Sequence, residues 1–167
     1  MRAGILTISD RSARGERTDA SGPLIAKILT NTLDATVTQT DIVPDELAII
    51  RDTLTAWSDS GEVDIILTTG GTGFAPRDIT PEATRAVIDR EAPGMAEAMR
   101  AASLQKTPHA MLSRGVCGMR GQTLIVNLPG SPKAVRENLE VILPVLPHAV
   151  QLLQEAPDSE AGHAYRS

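Results

Sequence analysis

The sequence predicts an α/β protein, a three-layer α/β/α domain with a mostly parallel central sheet. Two observations carry this reading. Short, nearly continuous apolar runs alternate along the chain with segments whose apolar residues recur at helical spacing. The runs also end in loops rich in Gly, Ser and Asp, the connection expected where a buried parallel strand hands over to a helix. With Trp57, Phe74 and Tyr165 as the three aromatics in 167 residues, the core falls to Leu, Ile, Val, Ala and Met.

Residues 2–9 (RAGILTIS) read as the first strand, ending in Ser9-Asp10-Arg11 and followed by a polar loop, RSARGERTDASG. Ser21-Gly22-Pro23 then opens a helix with Leu24, Ile25, Ile28 and Leu29 on one face. Residues 34–43 (DATVTQTDIV) are extended and run through Pro44 into a helix over 46–57, with Leu47, Ile50, Leu54 and Trp57 on its inner face. A third unit has strand 63–69, the loop GGTGFAPRDI and a helix from about Pro81, with Thr80 as N-cap. Residues 95–104 read as helical, 111–117 and 122–128 as two strands joined through Gly118 and Gly121, and about 132–153 as a last helix entered at Ser131-Pro132. Residues 1–153 therefore form one domain and 154–167 a mobile tail.

Composition removes several function classes. Sixteen basic against twenty-one acidic residues give a charge of −5, which repels polyanions, and so few aromatics supply no stacking platform for bases. No nucleic-acid partner is expected. The apolar segments are short and broken by charges, so no membrane span is expected either, and a single cysteine, Cys117, excludes a disulfide framework. A cytoplasmic location follows as the simplest expectation. Cys117 fits a small buried hydrophobe better than a nucleophile, and His109, His148 and His163 lack paired-ligand spacing.

Chemistry is expected at the strand-end loops. Gly70, Gly71 and Gly73, with Thr72 between them, let the backbone approach a ligand closely and turn N–H groups toward an anion. The loop lacks the Lys of a Walker motif and the spacing of GxGxxG. A tight turn without ligand remains the alternative. Asp78 beside a bound phosphate needs a divalent cation or a proton; otherwise it stabilises the turn. Asn127-Leu128-Pro129-Gly130-Ser131-Pro132 repeats the pattern of strand, Gly turn, capping Ser and helix. Asp45 also follows a strand, with helix N-capping as its simplest role, and Ser9 and Asp10 add a hydroxyl and a carboxylate to the same sheet edge. Arg114, placed in the late hairpin, suits a bidentate phosphate clamp; Arg77 or Lys133 is an alternative cation to complete it. Carboxylates from several strand ends beside two Gly loops suit metal-assisted phosphoryl or nucleotidyl transfer.

ISDR near the start, PDE at 44–46, TTGGTGFAPRDITPEAT at 68–84, MLSR at 111–114 and NLPGSPKA at 127–134 resemble the molybdopterin adenylyltransferase family of molybdenum cofactor biosynthesis. The resemblance implies Mg2+- and ATP-dependent adenylylation of molybdopterin with release of pyrophosphate, a homotrimer, and handover of the product to a molybdenum-insertion protein. It also implies catalytic, metal-holding roles for Asp45 and Asp78 and substrate contacts at Thr72, Ser103, Ser113, Asn127, Gly130 and Ser131. Ser9, Asp10, Gly70, Gly71, Gly73, Arg114 and Pro129 complete the expected substrate-binding set. A non-catalytic molybdopterin carrier using the same loops is the alternative.

Overall fold

The computed structural model describes residues 1–154. One six-stranded sheet has the order β2-β1-β3-β6-β5-β4. The strands are β1 (Arg2–Ile8), β2 (Thr36–Val43), β3 (Ile65–Thr69), β4 (Arg90–Glu91), β5 (Cys117–Arg120) and β6 (Thr123–Leu128). Strands β1, β2, β3 and β6 run parallel, whereas β5 is antiparallel to both of its neighbours. The helices are α1 (Asp10–Ala13), α2 (Ser21–Leu33), α3 (Leu47–Asp59), α4 (Thr80–Arg85), α5 (Pro93–Leu104), α6 (Pro132–Ile142) and α7 (Leu146–Leu153).

Alternation along the strands builds the two cores. Ile5, Ile65, Leu67, Leu124 and Val126 point to one face, where they meet Ile25 and Leu29 of α2, Met99 of α5, Val135 and Leu139 of α6, and Leu146 of α7. Leu6, Ile8, Ile66 and Ile125 point to the other and meet Ile50 and Leu54 of α3 and Ala83 of α4. The predicted three-layer, mostly parallel architecture is the one observed. Cys117 is buried in the first core, and burial pushes its thiol up to about 12, the behaviour expected of a small hydrophobe. Among the described residues no helix is long and apolar enough to cross a membrane.

Local features depart from the sequence expectations for identifiable reasons. The polar stretch after β1 contains α1, because Ser9 Oγ accepts the Ser12 N–H at 3.2 Å and starts a helical turn. Asp45 does not cap α3: Glu46 occupies that position with no side-chain hydrogen bond to the helix, and Leu47 is exposed rather than inward. Thr80 lies inside α4, where its hydroxyl donates to the Gly70 carbonyl at 2.9 Å instead of capping. Residues 111–117 are not a strand. Pro108–Leu112 forms a 3-10 turn capped by Thr107, and strand geometry begins only at Cys117. Gly118 consequently sits within β5, opposite Ile125 and the unanticipated edge strand β4, while Gly121 makes the turn. The last helix is two helices, because Pro144 has no N–H to continue α6 and α7 starts afresh at Leu146, with Pro147 in its first turn. The expected tail lies, beyond Gln154, outside the described residues.

Candidate functional site

Strand β1 has β2 on one side and β3 on the other, so chain connections diverge at its C-terminal end. That divergence opens the crevice where ligands of α/β sheets bind. The loops after β1, β2, β3 and β6 converge there. Thr69 Oγ1 donates to the Pro129 carbonyl at 2.7 Å, Gly70 N–H to Leu128 O at 3.3 Å, and Ser21 Oγ to Gly130 O at 2.8 Å. These bonds hold the two glycine loops side by side.

Gly70 and Gly71 have φ of +102° and +61°. A Cβ on Gly70 would lie 2.2 Å from the Ile8 carbonyl oxygen, and one on Gly71 2.3 Å from Thr80 Oγ1 and 3.0 Å from Asp45 Oδ1. Only glycine fits this turn. Among the described residues no protein acceptor takes the N–H of Gly71, Thr72, Gly73, Gly130 or Ser131. Backbone donors in such a concavity suit an anion. Ser131 caps α6 as its sequence predicts, accepting the Ala134 N–H at 3.3 Å, with Pro132 next.

Two cavities flank these loops. The first, about 310 Å³, is lined by Ser9, Asp45, Gly70, Gly71, Asp78, Gly130 and Ser131 together with Thr18, Asp19 and Arg17. The second, about 290 Å³, is lined by Thr72, Gly73, Ser103, Ser113 and Pro129 together with Arg100, His109, Leu112 and Asn138. Twelve of the expected residues therefore line one or the other of the two cavities. Asp10, Arg114 and Asn127 line neither cavity.

Those three hold the frame. Asn127 is buried; its amide donates to Thr68 Oγ1 at 3.0 Å and Thr84 Oγ1 at 2.9 Å, and its oxygen accepts the Val116 N–H at 3.1 Å. The Arg114 guanidinium is engaged by the Glu82 carboxylate, the Asp78 carbonyl and, at 2.7 Å, the Gly73 carbonyl. Burial tends to raise the Glu82 carboxyl, but Arg114 outweighs it and holds it below its ordinary value. Asp10 and Asp45 exchange bonds: Asp10 N–H donates to Asp45 Oδ2 at 2.8 Å and Asp45 N–H to Asp10 Oδ1 at 3.1 Å.

The first cavity is acidic. Burial pushes the Asp45 carboxyl above its ordinary value, and the charges of Asp10 and Asp78 push the same way against the Asp10 N–H bond. Asp10 itself is held below its ordinary value by the Arg77 guanidinium. Asp78 stabilises its turn by accepting the Ala75 N–H at 3.0 Å, which leaves its second oxygen for the cavity. Among the described residues no three His, Cys, Asp or Glu side chains make a metal site by themselves. Two carboxylates would suffice to hold Mg2+, with water or substrate phosphates as its other ligands.

Arg17 and Asp19 were not singled out by sequence reasoning. Asp19 accepts the N–H groups of Ser21 and Gly22 at 2.9 and 3.1 Å and thereby caps α2, while its other oxygen accepts from Thr7 Oγ1 at 2.7 Å. Its place two residues before Ser21-Gly22-Pro23 was the available signal. Phe74 is 65% exposed and lies outside both cavities, beside Arg114 and Asp78 on a shallow surface.

A family model described as "Probable molybdopterin binding domain" matches residues 4–148. Gephyrin of Dictyostelium discoideum is 46% identical over 173 residues, covering 98% of this chain and 24% of its own length, so the chain spans about a quarter of that relative. The molybdopterin adenylyltransferase of Escherichia coli K12 is 43% identical over 167 residues, covering 92% of this chain and 86% of its own. In the solved structure of the molybdopterin biosynthesis enzyme MoaB from Thermus thermophilus, 55% identical, 92% of this chain superposes on 96% of that one with a TM-score of 0.87.

Proposed function

The chain belongs to the molybdopterin-binding domain family of molybdenum cofactor biosynthesis, and from that premise we propose that it adenylylates molybdopterin, using Mg2+ and ATP and releasing pyrophosphate. The observation that carries the proposal is the first cavity, where unpaired loop N–H groups and two carboxylates, Asp45 and Asp78, face the same space. Anions and acidic side chains repel each other unless a cation lies between them. That pairing of donors and carboxylates suits a polyphosphate carried with Mg2+ better than it suits a neutral ligand.

The steps follow from the residues. The N–H groups of Gly71 and Gly130, with the Ser131 hydroxyl, hold the triphosphate with its α-phosphorus toward the second cavity. Ser103, Ser113 and Thr72 take the pterin, whose terminal phosphate reaches across the Gly70–Gly73 ridge. A phosphate oxygen of molybdopterin forms a bond to the α-phosphorus, the bond from that phosphorus to the bridging oxygen breaks, and pyrophosphate leaves with the electron pair. Mg2+ held by Asp45 and Asp78 would neutralise charge on the phosphates. Arg114 keeps the carbonyls of Gly73 and Asp78 in place, so the loop does not reorganise during the reaction.

Handover of the product to a molybdenum-insertion protein belongs to the same proposal, supported by the greater length of the gephyrin relative; a homotrimer is the assembly that the family resemblance implies. The test is purified protein with molybdopterin, ATP and Mg2+, with products read by mass. Adenylylated molybdopterin in step with pyrophosphate is the expected result. Tight binding of molybdopterin with no pyrophosphate released would point to a carrier instead.

A further inference from the structure

We propose that Arg77 is a positioning residue: its guanidinium straps the chain segment carrying Asp45 to the loop carrying Asp78, and so sets the separation of the two carboxylates. The inference rests on the adenylyl-transfer reading above. Arg77 immediately precedes Asp78, so where its side chain is fixed constrains the Asp78 backbone. Arg77 Nε donates to Asp10 Oδ2 at 2.5 Å, and Nη2 donates to Asp10 Oδ1 at 3.0 Å and to Glu46 Oε1 at 2.8 Å. Both partners flank Asp45, Glu46 in sequence and Asp10 through the reciprocal backbone bonds between the two aspartates. The relay is continuous: Arg77 fixes the Asp10 carboxylate, and the Asp10 N–H fixes the Asp45 carboxylate.

Two further observations favour geometry over substrate binding or stability. Arg77 lines neither cavity, so its fork is not presented to a phosphate there. Its side chain is 55% exposed, and ion pairs at that exposure contribute little to folding. Among the described residues no other hydrogen bond or ion pair joins residues 9–10 or 44–46 to residues 74–78. A planar, bidentate guanidinium defines distance and angle in a way a point charge does not.

The experiment compares wild type, Arg77→Ala, Arg77→Lys and, as control, Arg51→Ala, which removes an exposed pair with Asp52 on α3. Each is scored for kcat, the KM of molybdopterin, the Mg2+ concentration giving half-maximal rate, Mn2+ bound by the protein without substrates (free ion counted by electron paramagnetic resonance), and melting temperature. Arg77→Ala is expected to lose ~10-fold in kcat and to need ~10-fold more Mg2+, the size seen for groups that orient metal ligands. Its Mn2+ affinity falls by the same order, its KM for molybdopterin stays within about threefold, and its melting temperature is nearly unchanged. Arg77→Lys falls between the two and Arg51→Ala matches wild type. Unchanged metal dependence in Arg77→Ala, or an activity loss that merely tracks lost melting temperature, overturns the strap. A wild-type protein that makes no adenylylated product overturns the adenylyl-transfer reading instead, and the Mn2+ titration then still decides whether Arg77 sets the carboxylate pair.

Discussion

The two cavities are built from the same pair of glycine loops and differ in what stands opposite. Across the first stand the ends of parallel strands β1 and β2, which bring Ser9 and Asp45, with Arg17 as the cation among its lining residues. Across the second stand α5 and the 3-10 turn, which bring Arg100, Ser103, His109 and Leu112. Gly70, Gly71, Gly130 and Ser131 belong to the first side, Thr72, Gly73 and Pro129 to the second. Charge is concentrated where the sheet ends, and shape where helical side chains close over the loop. The proposed reaction needs both, with bond exchange on the acidic side and recognition of a flat heterocycle on the other.

Substitutions on the two sides should therefore fail in different ways. The largest effect is expected for Asp45→Asn or Asp78→Asn, which keep shape and remove charge. Loss of metal stabilisation worth about 3 kcal/mol lowers kcat ~100-fold. Melting temperature should hold, since the Asn amide oxygen still accepts the Asp10 or Ala75 N–H that each carboxylate takes. A purely structural role for these two predicts the reverse, lost stability with catalysis intact.

Gly71→Ala comes next, because it disturbs the ridge shared by both cavities. The φ of +61° and the approach to Thr80 Oγ1 predict about 1–2 kcal/mol of lost stability by urea unfolding, with ~10-fold lower kcat. Ser103→Ala should touch the second side alone. Its hydroxyl accepts from Asn138 at 3.3 Å and keeps its proton for a ligand, so loss of one hydrogen bond of about 1 kcal/mol raises the KM of molybdopterin about fivefold. The KM of ATP should not move; an equal rise in both would merge the two cavities into one site. Phe74→Leu should have the smallest effect, at most about twofold in either KM, because the ring is exposed outside both cavities. Complete loss of activity in a folded Phe74→Leu protein would show a contact that the geometry does not provide.

How much of this was readable from the sequence depended on how local the determining interaction was. The strand-helix alternation, the positive-φ glycines after β3 and the Ser131-Pro132 cap are set by neighbours in the chain, and they appear where the residues predict them. Asp45 illustrates the opposite case. An Asp after a strand and before a helix reads as a cap, yet its carboxylate turns to Asp10, 35 residues away in sequence, because β1 and β2 end side by side. Arg114 reads as a phosphate clamp, but folding places Glu82 and two loop carbonyls around it. The strand expected at 111–117 failed because the 3-10 turn entered at Pro108 runs on to Leu112 and Gly115 interrupts what is left, and the turn lines the second cavity. Nothing in the linear order announced that the expected substrate residues would divide between two sides of one ridge.

The division of labour is tested most directly by following isotopes. Protein, molybdopterin and Mg2+ are given ATP labelled with phosphorus-32 at either the α or the γ position. Attack at the α-phosphorus predicts α label in the pterin product and γ label in pyrophosphate, with both appearing ~100-fold more slowly in Asp78→Asn. Label from the γ position in the pterin, or pterin retained without label from either, would contradict adenylyl transfer at this site.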